Sequence, residues 1–394
     1  MTGVMAEAPA PVYLDFNATT PMAAEVLDAM APFWQTEFYN PSASYAQAGR
    51  ARHAVEDARS AMAHLLGSSS ETIVFTSGGT ESNNWVFWGT WLARPARRRR
   101  IIISSIEHPS VMESAKVLQA LGAEMVMIPV DSEGVIRVDA LDAVLTEETV
   151  LVSVMLANNE VGTLQPVAEV SERAHAVGAW MHTDAAQAVG KIAVDFTQLG
   201  VDFLTVAGHK LYAPKGIGAL YIAPHVKVPP FIAGGGQEHG RRSGTEPVPL
   251  IVGLGRAAQL AAAWVAGNGV PSQAALRDHL EAQVLQLNPH ARIFGRFAHR
   301  LPNTLAFAYP GWAGPSLLAV CPTILAGTGS ACHPAGSGSS TLQAMGCSPS
   351  MSQGLVRLSL GRETTAEELA TVVESFRQGM ASSPTNPIPE EGSS

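Results

Sequence analysis

The chain has 394 residues, and 25 lysines and arginines against 34 aspartates and glutamates give a formal net charge of −9. Hydrophobic residues make up 46% of it, enough apolar surface to exclude a chain that is disordered throughout. The acidic balance argues against nucleic acid as the main partner. The three cysteines form no CxxC pair, which excludes a zinc ribbon and a disulfide framework and favours a reducing, cytoplasmic location.

Two further patterns concern targeting and membranes. The first residues lack the basic and apolar regions of a secretory signal, so we expect none. No uninterrupted run of about 18 apolar residues occurs, so we expect no membrane-spanning helix and no membrane partner.

Short apolar runs alternate with helical segments along the first two thirds of the chain. Such alternation indicates βαβ units and a mainly parallel sheet, whose ligands gather beyond the carboxyl ends of the strands. The predicted strands are 72–75, 101–104, 125–129, 150–156, 180–183, 203–206 and 219–222, and the predicted helices are 83–92, 111–121, 167–176 and 250–265.

Three segments fall outside this alternation. The arginine run 97–100 could contact nucleic acid, but in an acidic chain we interpret it as a solvated loop. Residues 326–340 contain four glycines and four serines, a composition that favours a mobile loop. The polar, proline-rich tail 381–394 is expected to be disordered.

Several residues with catalytic potential lie at predicted strand ends. Lys210 follows a buried strand, where it is either a surface-loop lysine or an amine that forms a Schiff base. Asp184 could pair with a cationic ring nitrogen or cap the next helix. The turn 77–82, with Gly79 and Thr80, leads into a helix and could bind a phosphate.

Three more candidates are single residues. His108 could stack on a planar ring or move protons, although a lone histidine is more often structural. Cys332 lies in the glycine- and serine-rich loop and could act as a thiolate nucleophile, whereas Cys321 and Cys347 are interpreted as packing residues. Arg357 lies in a strand-like alternation and could hold a carboxylate.

The order of the motifs carries more information than any one of them. The chain resembles the cysteine desulfurases of the class V aminotransferase group, which use pyridoxal phosphate, over about residues 12–378. The matching motifs are YLDFNATTP, NPSASYAQAGR, FTSGGTESNN, SSIEHPSV, ANNEVGTLQP, HTDAAQAVGK, GHKLYAPKGIGALY, GGGQEHGRRSGTE, LPNT, GSACHPAG and RLSLGRETT.

The resemblance implies a role for each matching position. Lys210, Cys332 and His108 are the implied catalytic residues, and Arg357 and Asn40 the substrate-binding ones. Thr245 is implied to reach the phosphate in the other subunit of a homodimer. The implied cofactor-binding residues are Gly79, Thr80, His108, Asn159, Asp184, Gln187, His209, Lys210 and Thr245.

The resemblance also implies an α/β fold, that of the fold type I pyridoxal phosphate enzymes. A large domain at 12–258 would contain a mainly parallel seven-stranded sheet. A smaller α+β domain at 259–380 would carry the cysteine loop and Arg357, and the first ~20 residues would pack with it. The implied reaction converts L-cysteine to L-alanine, with a persulfide formed on Cys332 and passed to an acceptor protein or small thiol.

The chain departs from the family pattern at three places. Ala207 replaces a serine that commonly helps to bind the phosphate, Tyr45 replaces a histidine, and His333 and Pro334 follow the loop cysteine. Ala207 and His333 resemble the selenocysteine lyases, so L-selenocysteine is the alternative substrate. An epimerase or aminotransferase of the same group is a remoter alternative, which the cysteine in the loop makes less favoured. The last alternative is a glycine-rich protein that binds a phosphate or a nucleic acid and has no cofactor.

Overall fold

The computed structural model describes residues 10–329 and 338–382. Its strands are β1 Val12–Tyr13, β2 Ile73–Thr76, β3 Arg100–Ser104, β4 Glu124–Ile128, β5 Thr149–Ser153, β6 Trp180–Asp184, β7 Phe203–Ala207, β8 Gly218–Ile222, β9 Arg292–Phe294, β10 Thr304–Ala308, β11 Ile324–Leu325 and β12 Val356–Ser359. Its α-helices are α1 Ala24–Met30, α2 Pro32–Gln35, α3 Ala46–Leu66, α4 Gly79–Ala93, α5 Pro109–Ala120, α6 Val138–Asp142, α7 Val167–Ala176, α8 Phe196–Leu199, α9 Val248–Ala266, α10 Gly269–Leu287, α11 Gly314–Ala319, α12 Ser340–Ala344, α13 Pro349–Gln353 and α14 Ala366–Ser382.

The main sheet has seven strands in the order β2-β8-β7-β6-β5-β3-β4. The strands from β4 to β7 pair in parallel, and β8 runs antiparallel to both β7 and β2. Strands β5, β6 and β7 consist largely of buried residues, as a parallel sheet covered by helices on both faces requires. The predicted α/β fold with a mainly parallel sheet is confirmed.

The predicted strand 150–156 is too long. Strand β5 ends at Ser153, although the amides of Val154 and Leu156 still donate to the carbonyls of His182 and Asp184. The apolar run therefore continues as buried, irregular backbone beside the end of β6.

A second, three-stranded antiparallel sheet has the order β12-β10-β9. Its hydrophobic core contains Phe307 and Phe376, together with Leu14 from the start of the chain. Strand β1 pairs in parallel with β11, so the first described residues lie on this unit. The division into domains at 12–258 and 259–380 stays a prediction.

Two of the four arginines in the run 97–100 are bonded to the main sheet, whereas Arg97 and Arg99 are exposed as expected for a solvated loop. Arg98 donates to the carbonyls of Thr149, Val177 and Gly178, and Arg100 pairs with Glu124 at 3.0 Å. Both arginines are half-buried, so they secure the edge of β3.

Helix α9 is long and apolar enough, by length and composition alone, to cross a membrane. It packs against α1 and α3, and its Ile251, Leu254 and Ala258 are buried in the core of the main sheet. These contacts are those of a core helix.

Gly255 sets the distance between α9 and α3. A Cβ added at Gly255 would stand 2.5 Å from Ala58 Cα and Cβ. We expect Gly255→Ala to lower the free energy of unfolding by about 1–3 kcal/mol through overpacking, although alanine favours a helix by about 1 kcal/mol. The midpoint of urea-induced unfolding measures the effect.

Gly49 in α3 is the matched control, because a Cβ there meets only Arg52 Nη2, at 4.0 Å. The same substitution at Gly49 is expected to stabilise the protein. If both variants shift the midpoint in the same direction, the close contact between the helices does not limit stability.

Candidate active site

A cavity of about 270 Å³ opens where the strands of the main sheet end. It brings together most of the residues that the sequence singled out, although they are spread over more than half of the chain. The predicted residues that line it are Gly79, Thr80, His108, Asn159, Asp184, Gln187, His209, Lys210 and Arg357.

Three predicted residues are not part of this lining as described. Asn40 is exposed, and its Oδ1 accepts a hydrogen bond from the Ser42 amide. Thr245 is also exposed and does not line the cavity of its own chain. Cys332 lies outside the described residues. The roles of these three residues stay predictions.

Asp184 is the last residue of β6 and is only 6% exposed. Its Oδ2 accepts from Asn83 Nδ2 at 2.8 Å, and its Oδ1 accepts from the Ala186 amide at 3.0 Å. The second bond stabilises the turn after β6, so the residue fixes local backbone without capping a helix. The carboxylate is thereby held in one orientation at the cavity wall.

The tripeptide 208–210 forms one tight turn directly after β7. A Cβ at Gly208 would come within 2.7 Å of the Ile217 carbonyl oxygen, so the close approach to β8 requires glycine. The His209 carbonyl accepts from the Thr20 amide and hydroxyl. Burial, followed by the charge of Lys210, lowers the pKa of His209 to about 4. His209 is therefore neutral at neutral pH.

Arg357 reaches the cavity from the second sheet and is only 2% exposed. Its Nη1 donates to the Asn159 carbonyl at 2.9 Å, and its Nη2 pairs with Asp15 Oδ1 at 2.6 Å. Its Nε has no hydrogen-bond partner within the described part of the chain. The guanidinium is thus fixed in position, and its buried Nε is left without a partner in that part of the chain.

Gln187 is oriented by a buried lysine that the sequence did not single out. Lys191 Nζ donates to Gln187 Oε1 and to Asn17 Oδ1, both at 2.7 Å, and Gln187 Nε2 donates to the Asn17 carbonyl. Burial, followed by the charge of Lys210, lowers the pKa of Lys191 well below its usual value.

Sequence reasoning also missed Asn17, Asn83 and Ser110, which line the cavity. Each lies in a motif that resembles the family, yet the roles of these residues depend on contacts across the fold.

Known proteins match this chain almost from end to end. A sequence model of the family described as aminotransferase class-V matches residues 12–372. A cysteine desulfurase IscS from Methanosarcina thermophila is 41% identical over 366 residues, which are 92% of this chain and 90% of the relative. This chain belongs to the cysteine desulfurases.

Solved structures of similar proteins agree with the assignment. A NifS-like protein superposes with a TM-score of 0.88 at 35% identity, covering 94% of this chain and 99% of its own. SspA in complex with cysteine superposes with a TM-score of 0.79 at 32% identity, covering 90% and 99%. The fold of the cysteine desulfurases is therefore shared along nearly the whole chain.

The family implies pyridoxal phosphate as the cofactor, and the residues of the cavity fit it. Gly79 and Thr80 begin a helix of 15 residues, whose N-terminus suits a phosphate. A carboxylate at Asp184 suits the ring nitrogen, and the amine of Lys210 suits the aldehyde. A Cβ at Gly79 would touch Ala207 Cβ at 3.4 Å, so the backbone approaches this site closely.

Glu107 is a buried carboxyl group next to His108. Its Oε1 accepts from Ser104 Oγ at 2.5 Å and from the Met155 amide at 2.8 Å. Its Oε2 has no partner among the described residues. Burial raises the pKa of Glu107 from 4.5 to about 8, against the effect of these hydrogen bonds. The group is therefore neutral at neutral pH.

This raised pKa predicts how stability depends on pH. Because the unfolded state releases the proton near pH 4.5 and the folded state near 8, the free energy of unfolding falls as the pH rises between these values. Glu107→Gln is expected to remove this contribution, which thermal unfolding across the range would measure.

Glu113 provides the control, since it is exposed on α5 and pairs with Lys116. The variant Glu113→Gln is expected to keep the pH dependence of the wild type. A Glu107→Gln variant that keeps it as well would show that Glu107 is ionised in the folded protein.

Proposed function

We propose that the protein is a pyridoxal phosphate-dependent cysteine desulfurase that converts L-cysteine to L-alanine and leaves a persulfide on Cys332. The observation that carries this function is the convergence of Lys210, Asp184 and Arg357 on one cavity. An amine, a carboxylate and a guanidinium from three separate elements match the aldehyde, the ring nitrogen and the substrate carboxylate. The solved relative in complex with cysteine supports the substrate.

Lys210, Asp184, Gly79, Thr80 and His209 would hold the cofactor. When bound, pyridoxal phosphate supplies an electron sink for the carbon atoms of an amino acid. The chain's own contribution is to fix the orientation of the substrate and to move its protons.

Arg357 would bind the carboxylate of L-cysteine. Asp15 and the Asn159 carbonyl already fix its guanidinium, so little side-chain entropy is lost on binding. A carboxylate held there fixes the substrate with respect to Lys210, which lines the same cavity. Lys210 Nζ is then the base that takes the proton from Cα.

Cys332 would receive the sulfur. Its thiolate attacks the Sγ of L-cysteine, an S–S bond forms, and the Cβ–Sγ bond breaks with its electron pair left on Cβ. Cβ gains a proton, Cα regains the proton that Lys210 took, and L-alanine leaves, so one cysteine and one thiol give one alanine and one persulfide. A thiol of an acceptor protein or a small molecule then takes the outer sulfur and restores Cys332.

We further propose that the protein works as a homodimer in a reducing, cytoplasmic setting. Thr245 is exposed and lies outside the cavity of its own chain, as we expect of a residue that reaches the phosphate in a second copy. Trp34 and Phe38 are large apolar side chains that are 59% and 65% exposed in one copy. Light scattering that finds only a 41.4 kDa species would contradict the dimer.

L-Selenocysteine is the second candidate substrate. Ala207 lines the cavity at a position where a serine is common in desulfurases, and this departure resembles the selenocysteine lyases. A selenolate is also a better leaving group than a thiolate, so such an enzyme depends less on Cys332.

The experiment measures alanine formation by the cofactor-loaded protein from L-cysteine and L-selenocysteine separately, with a small thiol as the acceptor. We expect the rate of alanine formation from L-cysteine to fall at least about 100-fold in Cys332→Ala, because the attacking nucleophile is gone. Cys347→Ala is the matched control and should retain the rate, since Cys347 packs beside the core around Ile106 and Phe294.

Two outcomes would overturn parts of the proposal. An unchanged rate with L-cysteine in Cys332→Ala would exclude the persulfide on this residue. Turnover of L-selenocysteine alone by the wild type would make the protein a lyase.

A further inference from the structure

A continuous chain of hydrogen bonds joins the Asp184 carboxylate to the His108 ring. Asn83 Nδ2 donates one hydrogen to Asp184 Oδ2 and the other to Ser110 Oγ, both at 2.8 Å. Ser110 Oγ lies 2.8 Å from His108 Nδ1. These residues all line the cavity, and Asn83 is only 1% exposed.

The direction of each bond in this chain follows from the chemistry of its groups. The Asp184 carboxylate already accepts from the Ala186 amide, so the nitrogen of the Asn83 amide faces it. Both hydrogens of that nitrogen are then used, one of them toward Ser110 Oγ. The hydroxyl of Ser110 accepts this bond and is left to donate its own hydrogen to His108 Nδ1.

A second contact fixes the same direction independently. The backbone N–H of Ser110 donates to His108 Nδ1 at 3.2 Å, because His108 is the N-cap residue of α5. A backbone amide can only donate, so Nδ1 of His108 carries no hydrogen in this arrangement. Two donors from one residue therefore point at a single ring nitrogen.

We propose that Asn83 and Ser110 are positioning residues that hold the His108 ring with Nδ1 as an acceptor and with its proton on Nε2. The inference rests on the proposed function for its catalytic meaning, since a ring fixed in this tautomer can give up a proton only through Nε2. Without Asn83, the Ser110 hydroxyl could turn and accept from Nδ1, which would admit the other tautomer.

Other titratable groups surround this ring. Asp184, His209 and Lys210 line the same cavity, and Glu107 precedes His108 in the chain. Burial keeps His209 and Glu107 neutral at neutral pH, as their shifted pKa values indicate. Asp184 is the group that the chain through Asn83 connects to the ring.

The test is nitrogen NMR of the full-length protein with ring-labelled histidine, with and without pyridoxal phosphate. The His108→Gln variant identifies the His108 signals among those of the 12 histidines. We expect the wild type to show an unprotonated Nδ1 and a protonated Nε2 at neutral pH. In Asn83→Ala and Ser110→Ala, the Nδ1 signal should move toward that of a ring whose Nδ1 accepts fewer hydrogen bonds, or of a ring that populates both tautomers.

Matched variants separate this role from a general structural one. Ser110→Thr keeps the hydroxyl and should restore the wild-type signal. Asn84→Ala should leave the signal unchanged, because the neighbouring Asn84 donates to the Thr80 carbonyl on the same helix. The kcat for L-cysteine should fall about five- to tenfold in Ser110→Ala, the equivalent of one lost hydrogen bond, and should recover in Ser110→Thr.

A wild-type ring protonated on Nδ1 at neutral pH would overturn the proposal, as would spectra of Asn83→Ala and Ser110→Ala identical to the wild type. The NMR result does not depend on turnover. If the expected tautomer is seen but no alanine forms from L-cysteine, the proposed function fails and the role of Asn83 and Ser110 stands.

Discussion

Asn17 is buried, and its polar groups bond both to the second sheet and to the segment that follows β6 in the main sheet. Its side-chain Nδ2 donates to Thr304 Oγ1 in β10 at 2.9 Å, and its backbone N–H donates to Ser359 Oγ in β12 at 2.9 Å. On the other side its Oδ1 accepts from Lys191 Nζ, and its carbonyl accepts from Gln187 Nε2. An unpaired buried polar group is costly, so these bonds confine the two sheets to one relative placement.

The cavity depends on that placement because its charges come from both sides. Lys210 and Asp184 lie at the carboxyl ends of β7 and β6, where a parallel sheet gathers its ligands. Arg357 comes from β12, and its Nη1 donates to the Asn159 carbonyl, which also accepts from Asn17 Nδ2. A shift of one sheet against the other would therefore separate the substrate-binding cation from the lysine that acts on the substrate.

The alternation of strands and helices in the sequence was sufficient to predict a mainly parallel sheet, and the order of the motifs was sufficient to predict most of the residues that line the cavity. Lys210 was found because a lysine at the end of a buried strand is unusual, whereas the roles of Asp184 and Arg357 came from the resemblance to the cysteine desulfurases. Asn83 and Asn17 were not found, because an asparagine has no such signature. Their partners are 101 and 287 positions away in the chain, and only the fold brings them within hydrogen-bonding distance. The early end of β5 was missed for the same reason, since its apolar run stays buried after it leaves the sheet.

The most direct test of this account is the affinity of Asn17→Ala for pyridoxal phosphate, measured by equilibrium titration. Removing the side chain leaves Lys191 Nζ without one acceptor and removes the hydrogen bond to Thr304 in β10. We therefore expect the affinity for the cofactor to fall at least about tenfold. Asn268→Ala, at an exposed asparagine beside α10, should bind as the wild type does. An Asn17→Ala variant that binds the cofactor within about twofold of the wild type would contradict the claim that this residue holds the site together.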